Sequence, residues 1–202
     1  MLQFETKRLL LRQFGETDLA DYYEYGSMEG VGPRAGWTPY PDIESARKRL
    51  SIDMKKQHLF AIELKDEHKV IGSIEIMEVK REKYKGIVIE DNSKELGSII
   101  SEHYWGNGYM PEAVIEILKY CFYKLQVEVV YAGYLEKNNQ SVRLKEKCGF
   151  NIVGKVLNYR RWIDRDFSDL ILVSITKKEY ERKCLETING QIRKEYDGTV
   201  LF

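Results

Sequence analysis

The stretch EHYWGNGYMPEAVIEILKYCF, residues 102–122, constrains the fold more than any other part of the chain. Apolar residues follow the spacing of an amphipathic helix, at Val114, Ile117, Leu118, Cys121, Phe122 and Leu125. Asn-Gly at 107–108 is a strong signal for a β-hairpin turn, yet here it leads directly into that helix. Because Pro111 suits the first helical turn, we expect Tyr109 or Met110 at the N-cap position.

The predicted start of this helix has the properties of an anion site. Neither Tyr109 nor Met110 carries a side chain that accepts a hydrogen bond from the first backbone N–H groups, so those donors and the helix dipole stay available behind a Gly-x-Gly loop. The alternative is a helix end satisfied by water or neighbouring backbone. The loop is neither a Walker motif nor a dinucleotide fingerprint, because no Gly-Lys-Ser/Thr follows and Pro111 stands where a third glycine is needed. Glu112 would oppose an anion only if it pointed inward.

Strand and helix patterns alternate along the rest of the chain, which predicts one α/β (α+β) domain. The predicted strands cover residues 2–14, 58–64, 69–79, 95–101, 128–135, 150–162 and 169–175, with a short one at 87–89. Further helices are predicted from Thr17 or Asp18 to Gly26, after the cap Asp42, from Asn138–Ser141 to Gly149, and after a Thr176–Glu179 capping box. The helix after Asp42 would carry its apolar residues on one face, which is expected to be buried: Ile43, Ala46, Leu50 and Met54. Residues 26–41 read as a loop rich in Gly, Pro and aromatic residues.

Composition excludes several classes of function. Lys plus Arg and Asp plus Glu number 32 each, so a general nucleic-acid binder with a basic field is not expected. Charges interrupt the apolar run at the N-terminus, and no segment approaches the ~20 apolar residues that span a membrane. The three cysteines lack CxxC spacing, which favours reduced thiols and no metal site. A soluble, cytoplasmic protein is the expectation.

Four motifs in order resemble the GNAT superfamily of acetyl-CoA-dependent N-acetyltransferases, particularly the RimJ/RimL type that acetylates ribosomal-protein N-termini. They are the strand ELGSIIS, the loop YWGNGYMPEAV with its helix, and NNQSVRLKEKCGF, framed by ETKRLLLRQF and DLILVSITKKEY. The resemblance implies a mixed, mostly antiparallel sheet flanked by helices, with strands that splay at the cofactor cleft. It places the domain at 1–180 and leaves 181–202 as a helix end and tail, with no role assigned to 185–202. It also allows a homodimer.

The resemblance implies where acetyl-CoA binds. In the family the loop wraps the coenzyme pyrophosphate with backbone amides, a role that passes to Gly106, Asn107, Gly108, Tyr109 and Met110. Trp105 stands where many members have Arg or Gln, and Met110 where Gly or Ala is usual. The pantetheine arm would lie along Ser98, Ile99 and Ile100, although these residues also suit an ordinary buried strand. Lys137, Arg143, Lys145 and Lys147 could meet phosphates, or form a solvated face.

Direct acetyl transfer needs a base for the amine and a proton for the departing thiolate. The resemblance puts Asn138 and Ser141 near the thioester, with Ser141 as proton donor; helix capping is the alternative for both. The place of the tyrosine that serves many members as general acid holds Lys145 or Leu144. Glu95 is the expected base, unless it is a solvated carboxylate at a strand end, and Glu75 is a weaker rival.

The acceptor is expected to be a primary amine. Trp37, Tyr40 and the glycines of 26–41 suit a partly apolar groove, whereas a polyamine site would want clustered carboxylates. This favours the N-terminal amine of a peptide or protein, or a small amine that resembles one. Two other classes remain open: a non-catalytic acyl-CoA sensor of the same fold, and a nucleotide-binding domain.

Overall fold

The computed structural model describes residues 2–160 and 167–186, which form one eight-stranded sheet with helices packed on it. The strands are β1 Phe4–Glu5, β2 Leu9–Arg12, β3 Leu59–Leu64, β4 Lys69–Met77, β5 Ser93–Ile100, β6 Val129–Leu135, β7 Asn151–Arg160 and β8 Phe167–Thr176. Their order across the sheet is β1-β2-β3-β4-β5-β6-β8-β7. All neighbours are antiparallel except β5 and β6. The α/β fold class and the single domain are therefore confirmed.

The helices lie where the sequence patterns predicted them, with one addition. They are α1 Leu19–Gly26, α2 Gly32–Ala35, α3 Ile43–Asp53, α4 Tyr109–Tyr123, α5 Asn139–Cys148 and α6, which covers 177–186. The short α2 lies inside the predicted loop 26–41. Asp42 caps α3 by accepting a hydrogen bond from the Ser45 amide, and Thr176 with Glu179 forms the predicted capping box. None of the helices in the described part of the chain combines the length and apolar character needed to cross a bilayer.

The sheet is covered on both faces, because alternate residues of its strands point to opposite sides. Phe60 and Ile62 of β3 pack with α4 and α5, together with the buried stripe of α4. Leu59 and Ala61 face the other way, into a cluster with α1 and α3. A third cluster, around Tyr84, covers β6 and β8 on that same second face. The burial of Val114, Ile117, Leu118, Cys121 and Phe122 confirms the stripe that predicted α4.

The pairing of β5 with β6 is short, and this opens the sheet. Ser93–Glu95 pair with Val129–Tyr131, and beyond these three rungs the strands part. On its other side β5 pairs with β4 as far as Ile100. One edge of β5 after Glu95 therefore keeps its backbone groups free of a sheet partner.

Three local predictions were wrong. The N-terminal segment is not one strand but a tight hairpin of β1 and β2, because Thr6 closes a turn by bonding to Leu9 through both its amide and its hydroxyl. Residues 87–89 form no strand; Ile87 and Ile89 instead pack on the outer face of the sheet. Ile43, predicted on the buried face of α3, is 41% exposed, while Ala46 and Leu50 are buried.

The predicted strand 150–162 is β7 as far as Arg160, and its last two residues lie outside the described residues. The tail from 187 onward also lies outside them. All three cysteines are free thiols; Cys121 and Cys148 are buried and Cys184 is half-buried.

Candidate active site

A cleft opens where β5 and β6 part. Its floor is the end of β5, and its walls come from the loop after β5, the start of α5 and the segment around α2. Ten residues predicted for the site line it: Ser98, Ile99, Ile100, Trp105, Gly106, Gly108, Tyr109, Met110, Asn138 and Ser141. Asn107, Glu95 and Lys145 do not line the cleft. The cleft also includes Gly30, Val31 and Arg34, which belong to the segment 26–41 predicted to form a groove, although the prediction did not single out Val31 or Arg34.

The glycine loop leads into α4 through two left-handed residues. Gly106 and Gly108 have φ of 82° and 78°, and neither has an atom closer than 3.6 Å to the position a Cβ would take, so backbone conformation, not space, requires glycine there. Gly108 is the N-cap of α4, which corrects the prediction of Tyr109 or Met110; no described side chain caps the helix. The N–H groups of the first turn therefore remain available at the cleft.

Glu112, in the first turn of α4, points away from the cleft. Its carboxylate accepts hydrogen bonds from the Thr6 hydroxyl at 2.6 Å, the Arg8 amide at 2.8 Å and Arg8 Nε at 2.7 Å. Burial alone would raise the pKa of Glu112, but these bonds outweigh it and the pKa lies below its ordinary value. The helix start thus keeps its positive character on the cleft side.

Arg8 holds the glycine loop from outside. Its Nη1 donates to the Asn107 carbonyl at 2.9 Å, and its guanidinium lies 4.3 Å from the centroid of the Tyr109 ring. The Asn107 side chain donates to the Trp105 carbonyl at 3.3 Å, so this residue braces the loop from its exposed side. No local pattern identifies Arg8, because the contact joins residues 99 positions apart.

Asn138 and Ser141 take different positions at the start of α5. Asn138 is the N-cap, and its side chain accepts a hydrogen bond from the Ser141 amide at 3.2 Å. The half-buried Ser141 lines the cleft, and no described residue bonds to its hydroxyl. The capping role therefore falls to Asn138, which leaves the Ser141 hydroxyl available.

Lys145 lies behind the cleft wall instead of in it. Its side chain is buried, with Nζ 5.3 Å from the centroid of the Phe150 ring. Burial lowers the pKa of Lys145 to about 8, although Cys148 and Glu95 act in the opposite direction. The predicted contact of Lys145 with coenzyme phosphates gains no support from this position. Arg143 and Lys147, one turn apart and exposed, do line the cleft, whereas Lys137 does not.

Glu95 occupies the last paired rung between β5 and β6, opposite Tyr131. It is 6% exposed, which excludes the alternative of a solvated strand-end carboxylate. Its Oε1 accepts from Tyr84 Oη at 2.6 Å and from Lys83 Nζ at 2.9 Å, and no described residue donates to Oε2. Burial, followed by the charge of Glu95, raises the pKa of Tyr84, so that hydroxyl remains a donor. Glu75, on the neighbouring strand β4, pairs with Lys56.

The aromatic residues of 26–41 mostly pack on α1 and α3. Tyr40 stacks on Tyr22 and on Trp37, and its hydroxyl lies 3.0 Å from that of Tyr22. Gly30, Val31 and Arg34 are the members of this segment that reach the cleft. Among the residues that the structure describes, no three His, Cys, Asp or Glu side chains converge as metal ligands would.

Comparison with known proteins agrees with this geometry. A family described as "Acetyltransferase (GNAT) domain" matches residues 8–151. An uncharacterized N-acetyltransferase, p20 of Bacillus licheniformis, is 26% identical over 87% of this chain and 96% of its own. The [ribosomal protein uS5]-alanine N-acetyltransferase of Escherichia coli is 26% identical over 89% of this chain and 93% of its own. The structure of a spermidine N-acetyltransferase from Vibrio cholerae, in complex with CoA and spermine, aligns with a TM-score of 0.68 at 21% identity, over 87% of this chain and 99% of that one.

Proposed function

The chain belongs to the GNAT family of acetyltransferase domains, and from that membership we propose that it transfers the acetyl group of acetyl-CoA to the N-terminal amine of a peptide or protein. The observation that carries the proposal is the short β5–β6 pairing, which opens a cleft beside Ser141 and ends at the buried Glu95. A cytoplasmic location is part of the proposal, supported by the buried free thiols Cys121 and Cys148.

The residues of the cleft fit acetyl-CoA as a substrate. Free amides at Gly108–Met110 suit phosphate oxygens, and Arg143 and Lys147 add positive charge at the same cleft. The free edge of β5 at Ser98–Ile100 offers backbone groups to the amides of a pantetheine arm, although the Ile100 carbonyl already accepts from Trp105 Nε1.

In the proposed reaction, the amine nitrogen attacks the thioester carbonyl, the new C–N bond forms and the C–S bond breaks. Glu95 does not itself line the cleft, so it would accept the proton that the amine loses through one bridging water at Oε2, while Tyr84 and Lys83 hold Oε1. Ser141 donates its hydroxyl proton to the departing thiolate and regains one from solvent, while Glu95 releases to solvent the proton that it took from the amine. Leu96 faces α4, and because neighbouring residues of a strand point to opposite faces, Glu95 faces the α1–α3 side of the sheet. The amine would therefore approach from that side.

The choice of acceptor rests on chemistry and on one relative. An α-amino group has a pKa near ~8 against ~10.4 for lysine, so a single carboxylate suffices as its base. The relative from Escherichia coli is named as an N-acetyltransferase for an alanine of ribosomal protein uS5, whereas the similar structure from Vibrio cholerae holds CoA and spermine. Described carboxylates at the cleft are few, which favours the peptide over the polyamine.

An acceptor screen tests the proposal. Release of free CoA from acetyl-CoA is measured with peptides that begin with Ser or Ala, with acetyl-blocked lysine peptides, with spermidine and with aminoglycosides. We expect the free N-terminal peptides to give the largest kcat/KM. Faster turnover of a polyamine or an aminoglycoside would overturn the acceptor, and binding of acetyl-CoA without turnover of any amine would identify a sensor.

Glu95→Gln tests the assignment of the base. The variant keeps the side-chain volume and should lower kcat about 100-fold or more, as for loss of a general base, with coenzyme affinity retained. Glu75→Gln is the matched control, because it removes a carboxylate from the neighbouring strand that is bound to Lys56. Equal kcat in the two variants would remove Glu95 from the mechanism.

A further inference from the structure

Three cations face the cleft without a carboxylate partner. Arg34 lies on α2, and Arg143 and Lys147 lie on α5 across the cleft. Among the described residues, no carboxylate lies within ion-pair distance of any of the three. Elsewhere most arginines are neutralised by a neighbour, as in the pairs of Arg8, Arg12, Arg47, Arg49 and Arg81. Uncompensated positive charge on both walls indicates that the cleft receives an anion.

Trp105 fixes the position of Arg34. The guanidinium carbon lies 5.0 Å from the centroid of the Trp105 ring, within the range of a cation–π contact. The ring is itself held, because its Nε1 donates to the Ile100 carbonyl at 3.2 Å, at the last residue of β5. Arg34 is thereby placed next to the glycine loop, although 71 residues separate it from Trp105 in the sequence.

The segment that carries Arg34 is seated on the loop after β5. Gly30 lies so close to Glu102 that a Cβ on Gly30 would come 1.9 Å from the carboxylate oxygen. A side chain on Gly30 would therefore displace the Glu102 carboxylate. Gly32 is also closely packed, since a Cβ there would meet the Trp37 backbone at 2.9 Å. The Gly30–Glu102 contact therefore brings the segment against the loop after β5, and the Gly32–Trp37 contact keeps the segment itself compact.

We propose that Arg34 binds the pyrophosphate of the coenzyme, from the wall opposite α5. The inference rests on the proposed function. It adds Arg34, from the segment 26–41, as a second binding group beside the backbone amides of the glycine loop. The planar guanidinium offers two parallel N–H donors to phosphate oxygens, and stacking on Trp105 orients that plane before the ligand arrives. Trp105 carries no charge itself, but it holds the positive charge of Arg34 at the cleft.

Calorimetric titration of the full-length protein with CoA and with dephospho-CoA tests the inference. Dephospho-CoA lacks the 3′-phosphate but keeps the pyrophosphate. Arg34→Gln should raise Kd about tenfold for both ligands, as for loss of a charged hydrogen bond at an exposed site. It should also lower the slope of log Kd against log salt. Arg34→Lys, which keeps the charge but not the paired donors, should fall between wild type and Arg34→Gln.

The matched control is Arg47→Gln, which removes an exposed arginine of α3 that pairs with Glu44. It should leave both affinities and the salt slope unchanged. If wild type binds neither ligand, the proposed function fails. If wild type binds both and Arg34→Gln binds them equally well, only the role of Arg34 fails. A loss seen with CoA but not with dephospho-CoA would place Arg34 at the 3′-phosphate and overturn the pyrophosphate assignment.

Discussion

Asn138 and Ser141 each suit two roles in the sequence, capping and catalysis, and their contacts separate them. Asn138→Ala removes the bond to the Ser141 amide, so we expect about 1 kcal/mol less stability, the usual cost of a lost N-cap. Ser141→Ala should leave the free energy of unfolding within about 0.5 kcal/mol, as for a substitution away from stabilising contacts, and lower kcat with coenzyme affinity retained. Urea denaturation and steady-state kinetics on both variants measure the two effects. Stability lost in Ser141→Ala, with full turnover, would make the serine structural.

Lys145 is a buried amine whose charge should cost stability. Because its folded pKa, about 8, is below its ordinary value of 10.5, the unfolded chain binds the proton more tightly. Stability contributed by this group therefore rises with pH between those two values and is lost as pH falls through about 8. Lys145→Met should be more stable than wild type at pH 7, and the gap should shrink by roughly 3 kcal/mol by pH 10.5. Denaturant titrations across this range measure it.

The control for that series is Lys55→Met, which replaces an exposed lysine beyond α3. The difference between that variant and wild type should stay flat over the same pH range. Cys148, whose pKa burial raises to about 11, and the carboxylate of Glu95 both act on Lys145, so the comparison uses differences between proteins and not absolute stabilities. A gap for Lys145→Met that is independent of pH would mean that the amine keeps its proton-binding affinity on folding.

At the scale of elements, the start of α4 joins a strained backbone to ligand binding. Gly108→Ala should lower stability by about 1 kcal/mol, because φ of 78° is unfavourable for alanine. The glycine loop should change its conformation to relieve that strain, so CoA affinity should also fall. Gly86→Ala is the control, with φ of 83°, open space around it and a position outside the cleft. It should lose similar stability and no affinity. Titration calorimetry and denaturation separate the two, and an unchanged Kd in Gly108→Ala would exclude the loop from the coenzyme site.

The elements that sequence predicts well are those whose signal is local. The stripe of α4, the caps at Asp42 and Thr176, and Gly149 after α5 follow from spacing within a few residues, and the structure confirms them. The hairpin at Thr6 and the course of Ile87–Ile89 depend on what packs around them, which no periodicity records. The predicted N-cap of α4, Tyr109 or Met110, lies one or two residues after the observed one, because Gly108 takes a left-handed conformation and the helix begins directly after it.

The same limit applies to the site. The glycine loop and Ser141 carry motifs, so sequence brings them to the cleft. Arg8, Tyr84 and Arg34 reach their partners only through the fold: Arg8 reaches Asn107, Tyr84 reaches Glu95, and Arg34 reaches Trp105. Lys145 shows the converse. Its charge predicted an exposed residue near the coenzyme phosphates, yet its side chain on α5 is buried in the core.

For the whole molecule, binding of the coenzyme should appear as added stability. At 100 times its Kd, acetyl-CoA should stabilise the protein by about 2.7 kcal/mol, provided that it binds the folded state alone. ATP with Mg²⁺ at the same concentration is the control, since it shares the adenine and phosphates but has no pantetheine arm. Thermal denaturation reads both. A larger shift with ATP would favour the nucleotide-binding alternative over an acetyltransferase.

The three rungs between β5 and β6 also have a mechanical meaning. Strands β1–β5 form one part of the sheet and β6–β8 form the other. Among the described strands, the only sheet pairing that joins the two parts is this short one. Three paired residues on each strand resist a relative movement of the two parts weakly. A ligand that bonds to the free edge of β5 and also contacts α5 would link the two parts. Amide hydrogen exchange at the paired residues of β5 and β6 should then slow when the coenzyme is bound. Glu95, at the last paired position, would be the residue whose position the bound coenzyme stabilises most.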